Sequence, residues 1–241
     1  VASFRERAGH PARVRVRPAE DPGSVRELTL VPEAISPRAL FLRALRSSAR
    51  IVERGGSRLA YAHVWSFAGE EFQGALRELL LDGPLSEADG LVLDLRGGFG
   101  GANPEYLNLF RRDLPELASL DRDGAARVLS ASWTRPVVLL VDEGTTSGKE
   151  VFAHGFRRLG RGQIVGTRTA GAVLGGSAFL MRDGSLLYLA VLDVLVDGER
   201  LEGRGVEPDV TVSFPDDGSR GEDPQLERAL DVLATETRAE R

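Results

Sequence analysis

Ser147 is the residue of this chain best placed to do covalent chemistry. It ends the stretch Pro136-Val-Val-Leu-Leu-Val-Asp-Glu-Gly-Thr-Thr-Ser147, and Gly148-Lys-Glu150 follows. Val137 to Val141 is short, apolar and β-branched and runs into a polar glycine turn, a pattern that predicts a fully buried strand. An amphipathic run comes next, so Ser147 stands where strand gives way to helix. A helix N-terminus presents unpaired N–H groups and the positive end of a dipole. A serine there can attack a carbonyl carbon while the next amide, that of Gly148, holds the developing oxyanion. The same residues also spell an S-x-x-E capping box, Ser147 with Glu150, and capping is the commoner duty of a serine at a helix start.

A serine nucleophile needs a base within hydrogen-bond reach. Lys149 is the only lysine in the chain, but positions i and i+2 of a helix do not face each other, so it is read as a solvated surface residue whose loss changes little. His154 follows Ser147 by two helical turns, roughly 10 Å along the axis, too far for a direct bond. His63 falls on an apolar strand pattern and reads as a satisfied core histidine; His10 belongs to the N-terminal segment. None of them is a convincing base.

The elements that must position Ser147 can be read in order. Ala12-Arg-Val-Arg-Val-Arg17 and Val25-Arg-Glu-Leu-Thr-Leu-Val31 alternate like the strands of a hairpin. Leu40, Leu42, Leu45 and Ile51 predict an amphipathic helix over 37–54. A strand over Leu59 to Trp65 comes next. Phe72, Ala75, Leu76, Leu79 and Leu80 then form one stripe of a sheet-facing helix, and Gly90 to Leu95 forms a second buried strand, which implies a parallel crossover. Gly97, Gly98, Gly100 and Gly101 make a glycine loop. It lacks G-x-G-x-x-G spacing and a following ribose-binding acid, so it is not read as a nucleotide loop. Asn103-Pro104 and Asp223-Pro224 look like N-caps with proline at N1. Leu186 to Val196 is expected to be a long, largely buried strand, and Asp209 to Val212 a last short one.

Composition narrows the function classes. A chain of 241 residues, 42% hydrophobic, can bury one substantial core plus a small subdomain. The net charge of −5, with basic residues scattered rather than striped, argues against nucleic acid as a partner. Without cysteine there is no disulfide, thiolate metal site or Cys nucleophile. The longest apolar run is too short to span a bilayer. The start, Val-Ala-Ser-Phe-Arg-Glu, has neither Met nor an apolar leader core and reads as a processed or trimmed chain.

Five motifs in order carry a resemblance: Leu93-Asp-Leu-Arg-Gly-Gly-Phe-Gly-Gly101, Glu143-Gly-Thr-Thr-Ser-Gly-Lys-Glu150, Val165-Gly-Thr-Arg-Thr-Ala-Gly171, Arg182-Asp-Gly-Ser185 and Gly203-Arg-Gly-Val-Glu-Pro-Asp209. Together they resemble the C-terminal processing (tail-specific) serine proteases, a family that includes the tricorn protease core. The resemblance implies an α/β fold of the ClpP/crotonase-like type. A partial PDZ-like β-hairpin is expected over 1–33, a linker helix over 34–57, the protease core over 58–216, and a C-terminal loop and helix over 217–241. It implies that Ser147 attacks, that Gly148 and Gly100 supply the oxyanion amides with Gly101 close behind, and that Glu202 assists. The bacterial members use a Ser-Lys dyad, and the position of that lysine is Ala172 here. The tricorn-like branch is therefore the nearer pattern, with Glu202 matching its glutamate and its histidine lying in a region upstream of the PDZ-like domain. No cofactor or metal is implied. The implied partner is a peptide or protein substrate; the resemblance leaves room for a homo-oligomer and implies export to periplasm or exterior. Two other classes stay open. One is a binding protein that kept the fold without catalysis, favoured by the missing dyad lysine. The other is a crotonase-like acyl-CoA enzyme, which has no use for a serine at this turn.

Overall fold

The computed structural model describes residues 4, 7–18, 21, 23–101, 103–124, 126–215 and 221–240. The chain start Val-Ala-Ser, the expected boundary at 216/217 and Arg241 lie outside them. In order the elements are β1 (Ala12–Val16), β2 (Arg26–Leu30), α1 (Pro37–Ser48), β3 (Arg50–Arg54), β4 (Ser57–His63), α2 (Glu70–Arg77) and β5 (Gly90–Asp94). Then come β6 (Leu117–Leu120), β7 (Ala126–Leu129), β8 (Val137–Val141), α3 (Gly148–Arg158), β9 (Ile164–Gly166), β10 (Gly175–Leu180) and β11 (Leu186–Leu192). The chain continues through β12 (Leu195–Val196), β13 (Glu199–Arg200), β14 (Val210–Thr211) and α4 (Pro224–Ala239).

The centre is a six-stranded sheet in the order β14-β9-β8-β5-β4-β3, parallel except for the β3 edge. The strand at its middle explains the apolar run that precedes Ser147. Val137, Leu139 and Val141 face a core shared with α2 and α3, whereas Val138 and Leu140 face Leu226, Leu230 and Leu233 of α4. Residues of a strand alternate faces, so a strand covered by helices on both sides must be apolar throughout. The molecule is thus a mixed α/β three-layer structure.

Local chemistry ends the helices where the sequence said it would. Asn103 Oδ1 accepts from Glu105 N at 2.8 Å at the start of a short 3-10 helix, Pro104–Phe110, and Asp223 Oδ1 accepts from Leu226 N at 3.0 Å at the start of α4, each followed by proline. Phe72, Ala75, Leu76, Leu79 and Leu80 are all buried. The β1–β2 hairpin forms with Ala12 opposite Leu30.

Two expectations need correction. The helix read over 37–54 stops at Ser48, and Arg50–Arg54 becomes the antiparallel edge strand β3, with Ile51 opposite Ala60. The run from Leu186 is not a buried strand: β11 is exposed along its whole length and, among the described residues, pairs with β10 alone. Its apolar alternation therefore shows on both sides of a two-stranded sheet instead of inside a core.

A buried ionic network fastens α4 to the sheet beside the glycine loop. Asp94 is fully buried; its Oδ2 accepts from Tyr61 Oη at 2.8 Å and from Arg96 Nη2 at 2.7 Å. Arg96 continues to Asp223 Oδ2 at 2.7 Å and Gln225 Oε1 at 2.9 Å. Burial alone would raise the Asp94 carboxyl, but the Arg96 guanidinium outweighs it and holds the group below its ordinary value. A depressed folded-state pKa gives stability that is present above the unfolded value, near 3.9, and is lost as pH falls through the folded one. Asp94→Asn leaves Arg96 with Asp223 as its one carboxylate among the described residues, beside the Gln225 amide. It is expected to cost about 3–5 kcal/mol in urea unfolding at neutral pH and to flatten the loss of stability below about pH 4.

Candidate active site

Ser147 sits between β8 and α3 as the N-cap residue, with φ 55° and ψ −127°. A positive φ is unusual for a residue with a Cβ and costs about 1–3 kcal/mol, so the surroundings must enforce it. Glu150 does so. It is fully buried, and its carboxylate accepts from Thr169 Oγ1 at 2.6 Å, Gly171 N at 2.7 Å, Ala172 N at 2.9 Å and Ser147 N at 3.1 Å. Ser147 N also donates to Ala172 O at 2.9 Å. The capping residue of the S-x-x-E pattern is thus the staple that ties the 169–172 loop to the turn carrying Ser147. The Glu150 amide in turn donates to the Ser147 carbonyl oxygen at 2.8 Å.

The glycine loop after β5 comes directly against this turn. A Cβ placed on Gly100 would lie 2.6 Å from Ser147 Cβ, 2.7 Å from Gly148 N and 3.0 Å from Ser147 Oγ. Glycine at 100 is therefore a requirement of close approach, and Gly100, Ser147 and Gly148 form one cluster. A Cβ on Gly101 would instead meet the Ala68 backbone. The loop is held by Phe99 N donating to Trp65 O at 2.8 Å and Phe67 N donating to Gly100 O at 3.0 Å.

The cluster opens into an apolar cavity of about 770 Å³ lined by Phe99, Gly100, Ser147, Leu174, Tyr188 and Glu202. Glu202 therefore shares the cavity with Ser147, but its Oε2 accepts from Val173 N at 2.7 Å and Leu174 N at 3.1 Å. Tyr188 comes from the exposed hairpin and lies across β10 where Gly176 leaves room for its ring.

No described histidine, lysine or carboxylate side chain hydrogen-bonds Ser147 Oγ. His63 stacks on Trp65 at 4.0 Å between ring centroids, and its Nε2 lies 2.9 Å from Arg96 O. Burial pulls its pKa down. It is the satisfied core histidine that its strand position predicts. His154 turns to Asp197, 3.7 Å from Nε2 to Oδ2, and His10 is exposed. Lys149 corrects the sequence reading: it is not a solvated residue but fully buried. Its Nζ donates to Gly97 O at 2.7 Å and Leu95 O at 3.2 Å, and burial pushes its pKa down to about 8. Helical spacing shows only which way Lys149 points relative to Ser147, not that a glycine loop lies across from it.

Residues 58–212 match the profile described as peptidase family S41. The chain belongs to peptidase family S41. Among S41 relatives, tricorn protease homolog 1 of Streptomyces coelicolor is 30% identical over 233 residues, covering 92% of this chain and 21% of that protein. Carboxy-terminal processing protease CtpB of Bacillus subtilis is 27% identical, covering 92% of this chain and 46% of that protein. The crystal structure of the tricorn protease superposes with a TM-score of 0.65 at 23% identity, over 97% of this chain and 23% of the other. The photosystem II D1 C-terminal processing protease gives 0.50 at 25% identity, over 95% and 61%. The chain thus spans between about a fifth and just under half of the length of these two sequence relatives. The mixed α/β fold is that of the tricorn and C-terminal processing protease structures.

Sequence reasoning singled out Ser147, Gly148, Gly100 and Glu202; Ser147, Gly100 and Glu202 line one cavity, and Gly148 N lies against Gly100 at its edge. The capping-box pattern anticipates the bond from Ser147 N to Glu150, but not the three donors from Thr169, Gly171 and Ala172 or the burial of Lys149, because those partners lie far along the chain.

Proposed function

We propose that this chain is the catalytic core of a serine endopeptidase of the C-terminal processing and tricorn-like type, cleaving peptide or protein substrates through an acyl-enzyme on Ser147. The observation that carries the reading is the strained serine at a helix N-terminus, pressed against Gly100 at the mouth of an apolar cavity. In the reaction a base takes the Ser147 Oγ proton as Oγ attacks the peptide carbonyl carbon. The carbonyl oxygen becomes an oxyanion held by the Gly148 and Gly100 amides, and the amine leaves with the proton. Water then attacks the acyl-serine with the same assistance and frees the acid. Glu202, in the same cavity, assists as acceptor and orients the base. The base itself comes from outside these residues, in cis or from a second copy. The core is read as ClpP/crotonase-like, with β1–β2 as part of a PDZ-like domain, and the protein as exported.

A second reading has its own support. With no described base on Ser147 Oγ, the fold could serve as a peptide-binding protein without chemistry. Fluorophosphonate labelling of the full-length protein, followed by peptide mapping, separates the two. The peptidase reading expects one adduct, on Ser147, blocked by excess peptide substrate. An intact protein left unmodified, or modified at another serine, would support the binding reading instead.

A further inference from the structure

The chain keeps one lysine, and it places that lysine where lysine is costly. Removing an ammonium from water costs several kcal/mol even after relaxation, and replacing a buried charge by an apolar side chain of similar volume is often neutral or stabilising. Filling space therefore does not call for Lys149. Among the described residues no carboxylate hydrogen-bonds it; its partners are the carbonyl oxygens of Leu95 and Gly97, while His63 on β4, Asp94 on β5 and Asp142 in the β8–α3 turn act on it through their charge without such a bond.

Both carbonyls belong to one feature, the turn by which β5 enters the glycine loop. Asp142 holds that turn from the other side, its Oδ1 accepting from Gly97 N at 3.0 Å. Gly97 is thus gripped through its N–H by a residue preceding Ser147 and through its C=O by a residue following it. A Cβ on Gly98 would come within 3.2 Å of Lys149 Nζ, so the loop passes immediately over the ammonium. Two residues later Gly100 meets Ser147 with no space for a methyl group. Lys149 and Gly148 are adjacent in the first turn of α3. Any relaxation of the Nζ grip therefore changes the separation between the Gly148 amide and the Gly100 amide.

We infer that Lys149 is a positioning residue: its buried ammonium clamps the glycine loop to the start of α3, so that the Gly100 and Gly148 amides keep the spacing that a single oxyanion needs. The catalytic part of this rests on the serine-peptidase reading above; the clamp is a separate structural claim with its own readout.

The test compares the intact protein with its Lys149→Met variant, which keeps approximate shape and removes charge and donors. Three quantities are measured: melting temperature, the maximal rate and half-saturating concentration of fluorophosphonate labelling at Ser147, and hydrogen exchange at the Phe99 amide, which donates to Trp65 O. The expected result is an unchanged or higher melting temperature and an unchanged half-saturating concentration. The maximal rate should fall by at least about tenfold, since misplacing a reacting group by about 1 Å can cost about 10²-fold. Phe99 exchange should accelerate while the amides of α3 beyond its first turn keep their protection. Wild-type labelling and wild-type Phe99 exchange in the variant overturn the proposal. So does a rate that drops only as far as the folded fraction drops, which is all a packing role predicts. If the wild type is never labelled at Ser147 but Phe99 exchange responds to Lys149→Met, the peptidase reading fails and the clamp stands. Should Lys149→Met not fold, Lys149→Gln, which keeps an amide donor for the carbonyls, takes its place with the same three readouts.

Discussion

Gly100→Ala is expected to slow acylation of Ser147 by about 10²–10³-fold, the effect of losing one oxyanion donor, with the fold retained. The added methyl group cannot stay where the backbone puts it, 2.6 Å from Ser147 Cβ and 2.7 Å from Gly148 N. Gly100 does not use the left-handed region, so alanine is conformationally acceptable there and the cost falls on position. Either the glycine loop backs away from the serine turn or the turn rotates, and both separate the two amides. The loop has little slack, because Asp142 and Lys149 fix it at Gly97, Trp65 O at Phe99 and Phe67 N at Gly100 itself. Gly101→Ala is the contrasting control. Gly101 has φ 93°, and a Cβ there would strike the Ala68 backbone, so its penalty should appear first in melting temperature. Pre-steady-state acylation and thermal unfolding measured on both variants decide the matter. A Gly100→Ala protein that acylates at the wild-type rate removes Gly100 from the oxyanion site.

Much of this arrangement was legible in the sequence, for identifiable reasons. The Val137–Val141 strand, the Phe72–Leu80 stripe and the two Asx-Pro caps are local patterns whose physics is complete within a few residues. The meeting of Ser147 with Gly100 could be anticipated only through the ordered motifs, since strand order in a sheet is a long-range property. The errors follow the same line. Leu40, Leu45 and Ile51 lie close enough to helical spacing to hide the break at Ala49, and the strand tendency of Arg50–Arg54 emerges only because β4 offers an edge. The apolar run of β11 reads as interior because periodicity reports hydrophobicity and not whether a second layer exists to cover it. Lys149 was misplaced for a parallel reason. Exposure of charged side chains is the general rule, and the carbonyls that draw this one inward lie some fifty residues earlier in the chain.

Activity of these 241 residues alone is expected to lie about 10²–10⁴-fold below that of a protein that also carries the base, the usual contribution of general-base assistance. Each internal candidate is otherwise engaged or, like His154, about two helical turns from Ser147 with its Nε2 turned away toward Asp197. His63 Nε2 is committed to Arg96 O, His154 faces Asp197, Lys149 is closed over Leu95 and Gly97, and the Glu150 carboxylate accepts four donors. Glu202 lies in the right cavity, but its Oε2 already holds Val173 N and Leu174 N, a geometry suited to orienting an incoming cationic partner. A histidine from a longer form of the protein, or from a second copy, can complete the set. With an ordinary imidazole the rate should rise with pH through about 6.5 and then level, because the neutral ring is the proton acceptor. Histidine-to-alanine substitutions in the added segment should abolish both the gain and this rise, and Glu202→Gln should reduce the gain without exposing a new base. The contrary outcome is equally specific. Robust hydrolysis by the 241-residue chain, lost in His63→Ala and kept in Glu202→Gln, would mean that the His63 ring leaves Arg96 O to serve Ser147, and the base would then lie on β4.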